Sequence, residues 1–149
     1  MLSLLVCLMF TGCSNSETNS TSRGLTDFAH IEEEYLATID SLNWPDGIAL
    51  PDKLEDEDTG ASFQVGYGET RASYLWEYSW MKEWLDTYNT DPERAEKALE
   101  ELEKAFDMPY MGIDRCDDAT RNYLRENIDK AKLGDPSGFT ESIRANYAN

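Results

Sequence analysis

The chain has 149 residues, which is enough for one domain with a hydrophobic core. Hydrophobic residues make up 40% of it and aromatic residues 11%, which is typical of a globular protein rather than a disordered one. The formal net charge of −17 disfavours binding to nucleic acid and to anionic membrane surfaces, because their phosphates would be repelled. Such a charge fits a protein that binds cations or a basic partner, and it equally fits a solvated acidic surface with no binding role.

An apolar run occupies residues 1–10 and leads directly to a cysteine. The run is too short to span a bilayer as a helix, which takes about 20 apolar residues, but it fits the apolar region of a secretory signal. The sequence Phe10-Thr11-Gly12-Cys13 resembles the signal of bacterial lipoproteins, in which the peptide is cut before a cysteine that is then lipidated. The resemblance implies that residues 1–12 are a signal peptide and that Cys13 carries lipid. No Lys or Arg precedes the apolar run, so we expect translation to start upstream of Met1.

The segment after the cysteine, residues 13–26, is rich in Ser, Thr and Asn and cannot bury enough apolar surface to fold. We predict a lipidated flexible tether with a reach of roughly 20 Å, followed by a helical domain over residues 27–149. The lipoprotein resemblance then implies a protein anchored on the extracytoplasmic face of the cell membrane through Cys13. The alternatives are a cleaved signal without lipid and a buried N-terminal strand.

The cysteine count agrees with this scheme. Cys7 would leave with the signal peptide and Cys13 would be lipidated, so Cys116 would be alone and the mature domain would have no internal disulfide. We interpret Cys116 as a buried structural cysteine, since no histidine is obviously available to activate its thiol.

The mature chain is predicted to be all-α. Its richest apolar segment is a helix over residues 74–88, in which Trp76, Trp80, Trp84 and Tyr88 recur every four residues and therefore share one face. We predict a compact bundle of about five helices around this Trp-rich helix. An irregular, partly extended stretch from Trp44 to Gly68 is predicted between the first and second helices.

Capping residues indicate where the other helices begin. The predicted starts are Thr26 or Asp27, Asp91-Pro92, Asp117 or Asp118, and Asp135-Pro136. The glycine-containing turn at residues 63–68 precedes the central helix and could hold an anion on its backbone N–H groups. Because Glu69 already occupies the first turn of that helix, we expect a close-packed turn there instead.

A Trp44-Pro45 turn, a glycine-flanked aromatic helix and a terminal helix that starts at Gly134-Asp135-Pro136 occur together between residues 42 and 147. This arrangement resembles uncharacterised small secreted proteins of actinomycetes. The resemblance implies no activity.

Catalytic chemistry is hard to assemble from these residues. His30 is the sole histidine and is predicted to lie on the polar face of the first helix, so neither a Ser-His-Asp nor a Cys-His set is visible. Zinc or iron sites require more His and Cys than remain, and we predict no catalytic residue, no cofactor and no metal ligand. The acidic loop Asp52-Asp58 could bind calcium through its carboxylates, but it lacks the glycine and the final glutamate of an EF-hand, and an exposed loop is expected.

The candidate ligand pocket consists of Glu77, Trp76, Trp80 and Trp84. On a helical wheel, Glu77 lies inside the aromatic arc, where its carboxylate loses hydration unless another group satisfies it. One interpretation is a structural contact with an arginine (Arg71, Arg121 or Arg125) or with a tyrosine hydroxyl. The other is that Glu77 forms the floor of an aromatic-lined pocket that orients a polar or cationic ligand. Core packing is the simpler interpretation of the tryptophans.

These features favour a binding or interaction module at the cell surface. Its predicted partners are the membrane, through the lipid on Cys13, and an unknown protein or cell-wall component, with no nucleic acid. The alternative is a cell-wall or sugar-active protein that uses the aromatic face and the carboxylates.

The lipid anchor is tested by the substitution Cys13→Ala. We expect the variant to leave the membrane fraction, since stable anchoring requires the multi-chain modification that bacterial lipoproteins carry on this cysteine. Fractionation followed by immunoblotting measures the shift. A variant that still sediments with membranes contradicts the anchor.

Overall fold

Five α-helices carry the fold in the computed structural model, which describes residues 24–55 and 57–147. The helices are α1 (Phe28–Ser41), α2 (Tyr67–Thr87), α3 (Pro92–Glu103), α4 (Asp118–Lys132) and α5 (Ser137–Asn146). Two 3-10 turns, Lys104–Asp107 and Pro109–Met111, link α3 to α4. The prediction of about five helices, with an irregular stretch between the first and second, is confirmed. The predicted signal peptide and Cys13 lie outside the described residues.

A two-stranded antiparallel sheet closes the N-terminal end of the described chain. Strand β1 (Leu25–Thr26) pairs with β2 (Phe63–Gln64), and the N–H of Val65 donates to the carbonyl of Gly24 at 3.0 Å. Residues 24–26, which we assigned to the tether, therefore belong to the folded unit. Polar composition alone did not reveal this contact, because backbone groups make it.

Aspartates cap three of the helices as predicted. Asp27, Asp91 and Asp117 each accept a hydrogen bond from the backbone N–H three residues further on, at 2.8–3.2 Å. The last helix begins one residue later than its Asp-Pro signal indicates. Pro136 lies at its N-cap, and Asp135 accepts from the N–H of Ser137 at 2.9 Å.

The core lies on both sides of α2. Trp76 and Trp80 are each 1% exposed and Trp84 is 2% exposed, which agrees with the core interpretation of these tryptophans. They pack with buried side chains of α3, α4 and α5, whereas Ala72 of α2 packs with the apolar face of α1. The indole N–H groups of Trp76 and Trp80 both donate to the carbonyl of Asn43, at 2.8 and 3.2 Å, so neither is buried without a partner.

The start of α2 is pressed against α1. A Cβ atom at Gly68 would lie 1.8 Å from the carbonyl oxygen of Ile31, so only glycine allows the two backbones to approach this closely. The Glu34 carboxylate of α1 accepts from the N–H of Gly66 at 2.7 Å and from that of Gly68 at 3.1 Å. The glycine turn is close-packed, as expected, and it also holds an anion on its N–H groups: a carboxylate from within the chain.

On the other side of this turn, Arg115 donates to the carbonyl of Gly66 at 3.2 Å and to the Glu69 carboxylate at 3.0 Å. We expected Glu69 to disfavour an anion at this turn, and in the structure its carboxylate pairs with Arg115. A charged residue from α1 and one from the loop before α4 together fix the start of α2.

Gly68→Ala tests the close contact between α1 and α2. Alanine ordinarily favours a helix over glycine by about 1 kcal/mol, but here its methyl group forces the helices apart, and we expect a net loss of about 3 kcal/mol. Urea unfolding measures the loss. Gly134→Ala is the control: nothing lies within 4 Å of a Cβ atom there, and its φ of +78° should cost about 1 kcal/mol. Equal losses in the two variants would contradict a steric role for Gly68.

Candidate functional site

Glu77 lies in the middle of α2 and is 7% exposed. The hydroxyl of Tyr110, on the second 3-10 turn, donates to its Oε2 at 2.7 Å. Its Oε1 has no hydrogen-bond donor among the described residues. Of the two kinds of structural partner that the sequence suggested, the structure supplies the tyrosine hydroxyl.

The three candidate arginines are engaged elsewhere. Arg71 pairs with Glu57 at 3.3 Å. Arg121 pairs with Asp118 and donates to the carbonyl of Met111 at 3.2 Å. Arg125 lies over the ring of Phe106, 4.7 Å from its centroid, and bonds Asn122 at 2.9 Å. No described cation forms an ion pair with Glu77.

Burial without a counter-ion changes the ionisation of this carboxyl group. Desolvation raises the pKa of Glu77 to about 7, and the hydrogen bond from Tyr110 lowers it only in part. The neighbouring hydroxyls respond to the same environment: burial, followed by the Glu77 charge, raises the pKa of Tyr110, of Tyr147 and of Tyr74. The site therefore contains one acid that titrates near neutral pH among tyrosines that keep their protons.

A cavity of about 340 Å³ lies against Glu77. Its lining comes from α2, the second 3-10 turn, α4 and the C-terminal end of α5: Arg71, Tyr74, Glu77, Met111, Thr120, Tyr123, Leu124, Ser142, Asn146 and Tyr147. Tyr74 is 43% exposed and Tyr123 41% exposed, which places their rings at the mouth of the cavity. An apolar and aromatic cavity with a few polar groups and one acid of shifted pKa has the general character of a ligand site.

A second cavity of about 270 Å³ adjoins the first, since Arg71, Tyr74 and Tyr147 line both. Its other walls include Tyr35 of α1 and Lys53 and Leu54 from the irregular stretch. The two cavities therefore share part of their walls, and Glu77 lines only the first.

The tryptophans of the candidate pocket occupy other places. Trp76 and Trp80 do not line the Glu77 cavity, because both are buried in the core cluster that α2 forms with α3, α4 and α5. Trp84 stacks on Tyr88 with ring centroids 4.6 Å apart, and both border a separate groove of about 490 Å³. Tyrosines surround Glu77 instead, and those from distant segments (Tyr110, Tyr123 and Tyr147) were not included in the sequence-based pocket.

The structure also shows the surroundings of His30, of Cys116 and of the acidic loop, and Cys116 is less buried than the sequence predicted. His30 is exposed, with its Nε2 3.4 Å from the Glu34 carboxylate. Cys116 is half-buried, and its thiol lies 3.5 Å from the sulfur of Met111; burial raises the pKa of this thiol. Glu57 of the acidic loop accepts from the Tyr67 hydroxyl at 2.7 Å.

Within residues 24–55 and 57–147, no group of three or more His, Cys, Asp and Glu side chains is placed to hold a metal ion. None of the helices in that part of the chain is both long and apolar enough to cross a membrane. Comparison with known proteins finds no family model, no curated protein and no solved structure that matches this chain.

Glu77→Gln tests the ionisation of the buried acid. The folded-state pKa of about 7 lies above the unfolded value of 4.5, so the folded state binds more protons between these values. The stability contributed by protonated Glu77 is therefore fully present below pH 4.5 and is lost as the pH rises through 7. It amounts to about 2–3 kcal/mol between pH 5 and pH 8. Glutamine remains neutral and can still accept from Tyr110.

We therefore expect Glu77→Gln to gain stability relative to the natural chain as the pH rises, although an ion pair with arginine would have predicted a loss. Urea unfolding at pH 5, 6.5 and 8 measures the difference in the free energy of unfolding between the two proteins. The contributions of the other titrating groups are common to both proteins and cancel in this difference. Glu33→Gln removes an exposed carboxylate from α1 and is the matched control. A flat difference for Glu77→Gln would show that this group ionises normally.

Proposed function

We propose that the protein is a lipid-anchored binding module on the extracytoplasmic face of the membrane, and that it takes a small polar ligand in the cavity beside Glu77. The observation that carries the proposal is a buried carboxyl group in a cavity lined by tyrosines, with one oxygen that accepts no hydrogen bond from the described residues. A few polar groups in an otherwise apolar cavity orient a bound ligand. A ligand that donates a hydrogen bond to Oε1 would use this free acceptor.

The anchor and the cavity support each other in this proposal. A lipid on Cys13 and a tether of roughly 20 Å would keep the domain close to the membrane, where it meets solutes and cell-wall components. The cavity lies between α2, α4 and the end of α5, so elements of the packed core hold its walls. A preformed site of this kind loses little side-chain freedom when it binds.

Binding of a sugar or a cell-wall fragment is the second candidate. Tyrosine rings at the mouth and the hydroxyls of Thr120 and Ser142 inside provide apolar faces and hydrogen-bonding groups for a sugar ring. The buried tryptophan face cannot serve this purpose while α2 remains packed, so the aromatic part of that hypothesis transfers from the tryptophans to Tyr74 and Tyr123.

The proposal is tested by a ligand-observed NMR screen of small amines, amino acids, sugars and muropeptide fragments. We expect some compounds to bind, so that their NMR signals weaken when the natural chain is added. These signals should weaken less when Tyr123→Ala is added instead, because this variant lacks a ring at the mouth of the cavity. Ile113→Ala is the matched control, because Ile113 is 86% exposed and does not line the cavity. The proposal fails if no fragment binds, or if every binder is indifferent to Tyr123→Ala.

A further inference from the structure

We infer that the ligand of the Glu77 cavity is an organic monocation, a primary ammonium group carried on an apolar or aromatic body. The inference rests on the binding function proposed above and assigns the chemical class of its ligand. It follows from three features of the site. One oxygen of Glu77 accepts no hydrogen bond from the described residues, no described cation pairs with the carboxylate, and aromatic rings line the cavity.

The Oε1 atom of Glu77 can accept a hydrogen bond from a ligand. Tyr110 already donates to Oε2 at 2.7 Å, and no other described residue donates to this carboxyl group. A primary ammonium group has three N–H donors and forms short, charge-assisted bonds to a carboxylate. A neutral hydroxyl would satisfy the same oxygen but would leave the carboxylate charge without compensation.

The titratable groups whose pKa responds to the Glu77 charge contribute no positive charge to it. They are Tyr74 on α2, Tyr110 on the 3-10 turn, Cys116 in the following loop and Tyr147 at the end of α5. The pKa of Glu77 is set by burial and by the Tyr110 hydrogen bond, and neither Arg71 nor any other described cation lowers it. The described residues therefore give Glu77 no counter-ion, since Arg71, which also lines the cavity, pairs with Glu57.

The surroundings of the carboxyl group also favour a cation. Aromatic faces attract an ammonium group through their quadrupole, by about 0.5–2 kcal/mol, and Tyr74, Tyr123 and Tyr147 line this cavity. The net charge of −17 produces a negative potential that raises the local concentration of cations. Arg71 at the rim carries the opposite sign, and its partner Glu57 offsets that charge at 3.3 Å. A ligand with a single positive charge fits this balance better than a polycation.

Binding is coupled to a proton. An ammonium group favours the ionised form of Glu77, so the fraction of molecules in which this acid is protonated must give its proton to solvent when the ligand enters. The ligand keeps all of its own protons, and the complex contains an ammonium–carboxylate pair. Because the pKa of Glu77 is about 7, the proton is released near neutral pH.

The experiment is isothermal titration calorimetry with 2-phenylethylamine and its neutral isostere 2-phenylethanol, at pH 6, 7 and 8. We expect the amine to bind about tenfold more tightly at pH 8 than at pH 6, following the ionised fraction of Glu77. Titrations in two buffers of different ionisation enthalpy should show release of about half a proton per ligand at pH 7. Glu77→Gln should abolish both effects, whereas Glu33→Gln, with the same loss of formal charge on an exposed part of α1, should keep them.

The outcomes separate the ligand class from the binding function. If the alcohol binds as tightly as the amine, or if Glu77→Gln leaves amine binding unchanged, the cation inference is overturned. If, in addition, binding of the alcohol is lost in Tyr123→Ala, the cavity is a ligand site for neutral molecules and the proposed function stands. If neither probe binds the natural chain and the fragment screen finds no binder that depends on Tyr123, both proposals fail together.

Discussion

The fold depends on the contact between the Glu34 carboxylate and the first turn of α2. The N–H groups at a helix start carry partial positive charge and have no partner within the helix, so a carboxylate that accepts from two of them forms strong, oriented bonds. The contact exists only because Gly68 lets the carbonyl of Ile31 approach the helix axis. It fixes where α2 begins and how it is rotated, and α2 carries both the tryptophan core and the buried acid.

The buried polar groups of α2 are of two kinds. The indole N–H groups of Trp76 and Trp80 both donate to the carbonyl of Asn43, so both have a partner. Glu77 lines a cavity and accepts one hydrogen bond, and its second oxygen accepts none from the described residues. Both sets lie on the same rigid helix, and ordinary packing accounts for the first but leaves the second incomplete.

Much of this architecture could be predicted from local patterns. The four-residue spacing of the tryptophans and the aspartate caps are local signals, because each depends on residues three or four positions apart. These signals predicted the helices and the buried face of α2 correctly. The burial of Glu77 also followed from the helical wheel. The β1–β2 pairing and the anchoring of Gly66 by the Glu34 carboxylate did not, because each contact joins a backbone group to a distant segment of the chain. The tyrosines around Glu77 come from four separate elements, and periodicity carries no information about which faces meet.

The buried carboxyl group of Glu77, which has no counter-ion among the described residues, is difficult to explain by stability alone. A glutamine would accept the hydrogen bond from Tyr110 equally well, without the cost of burying a charge. An apolar residue of similar size would have no polar oxygen to bury. At neutral pH the ionised acid lowers stability by about 2–3 kcal/mol, a sizeable part of the 5–15 kcal/mol that holds a typical domain together. Groups that reduce stability in this way are common where function requires them, since binding sites keep polar atoms that only a ligand completes. A carboxyl group that can ionise, in a cavity where no described cation pairs with it, meets that requirement for a ligand that brings the missing charge.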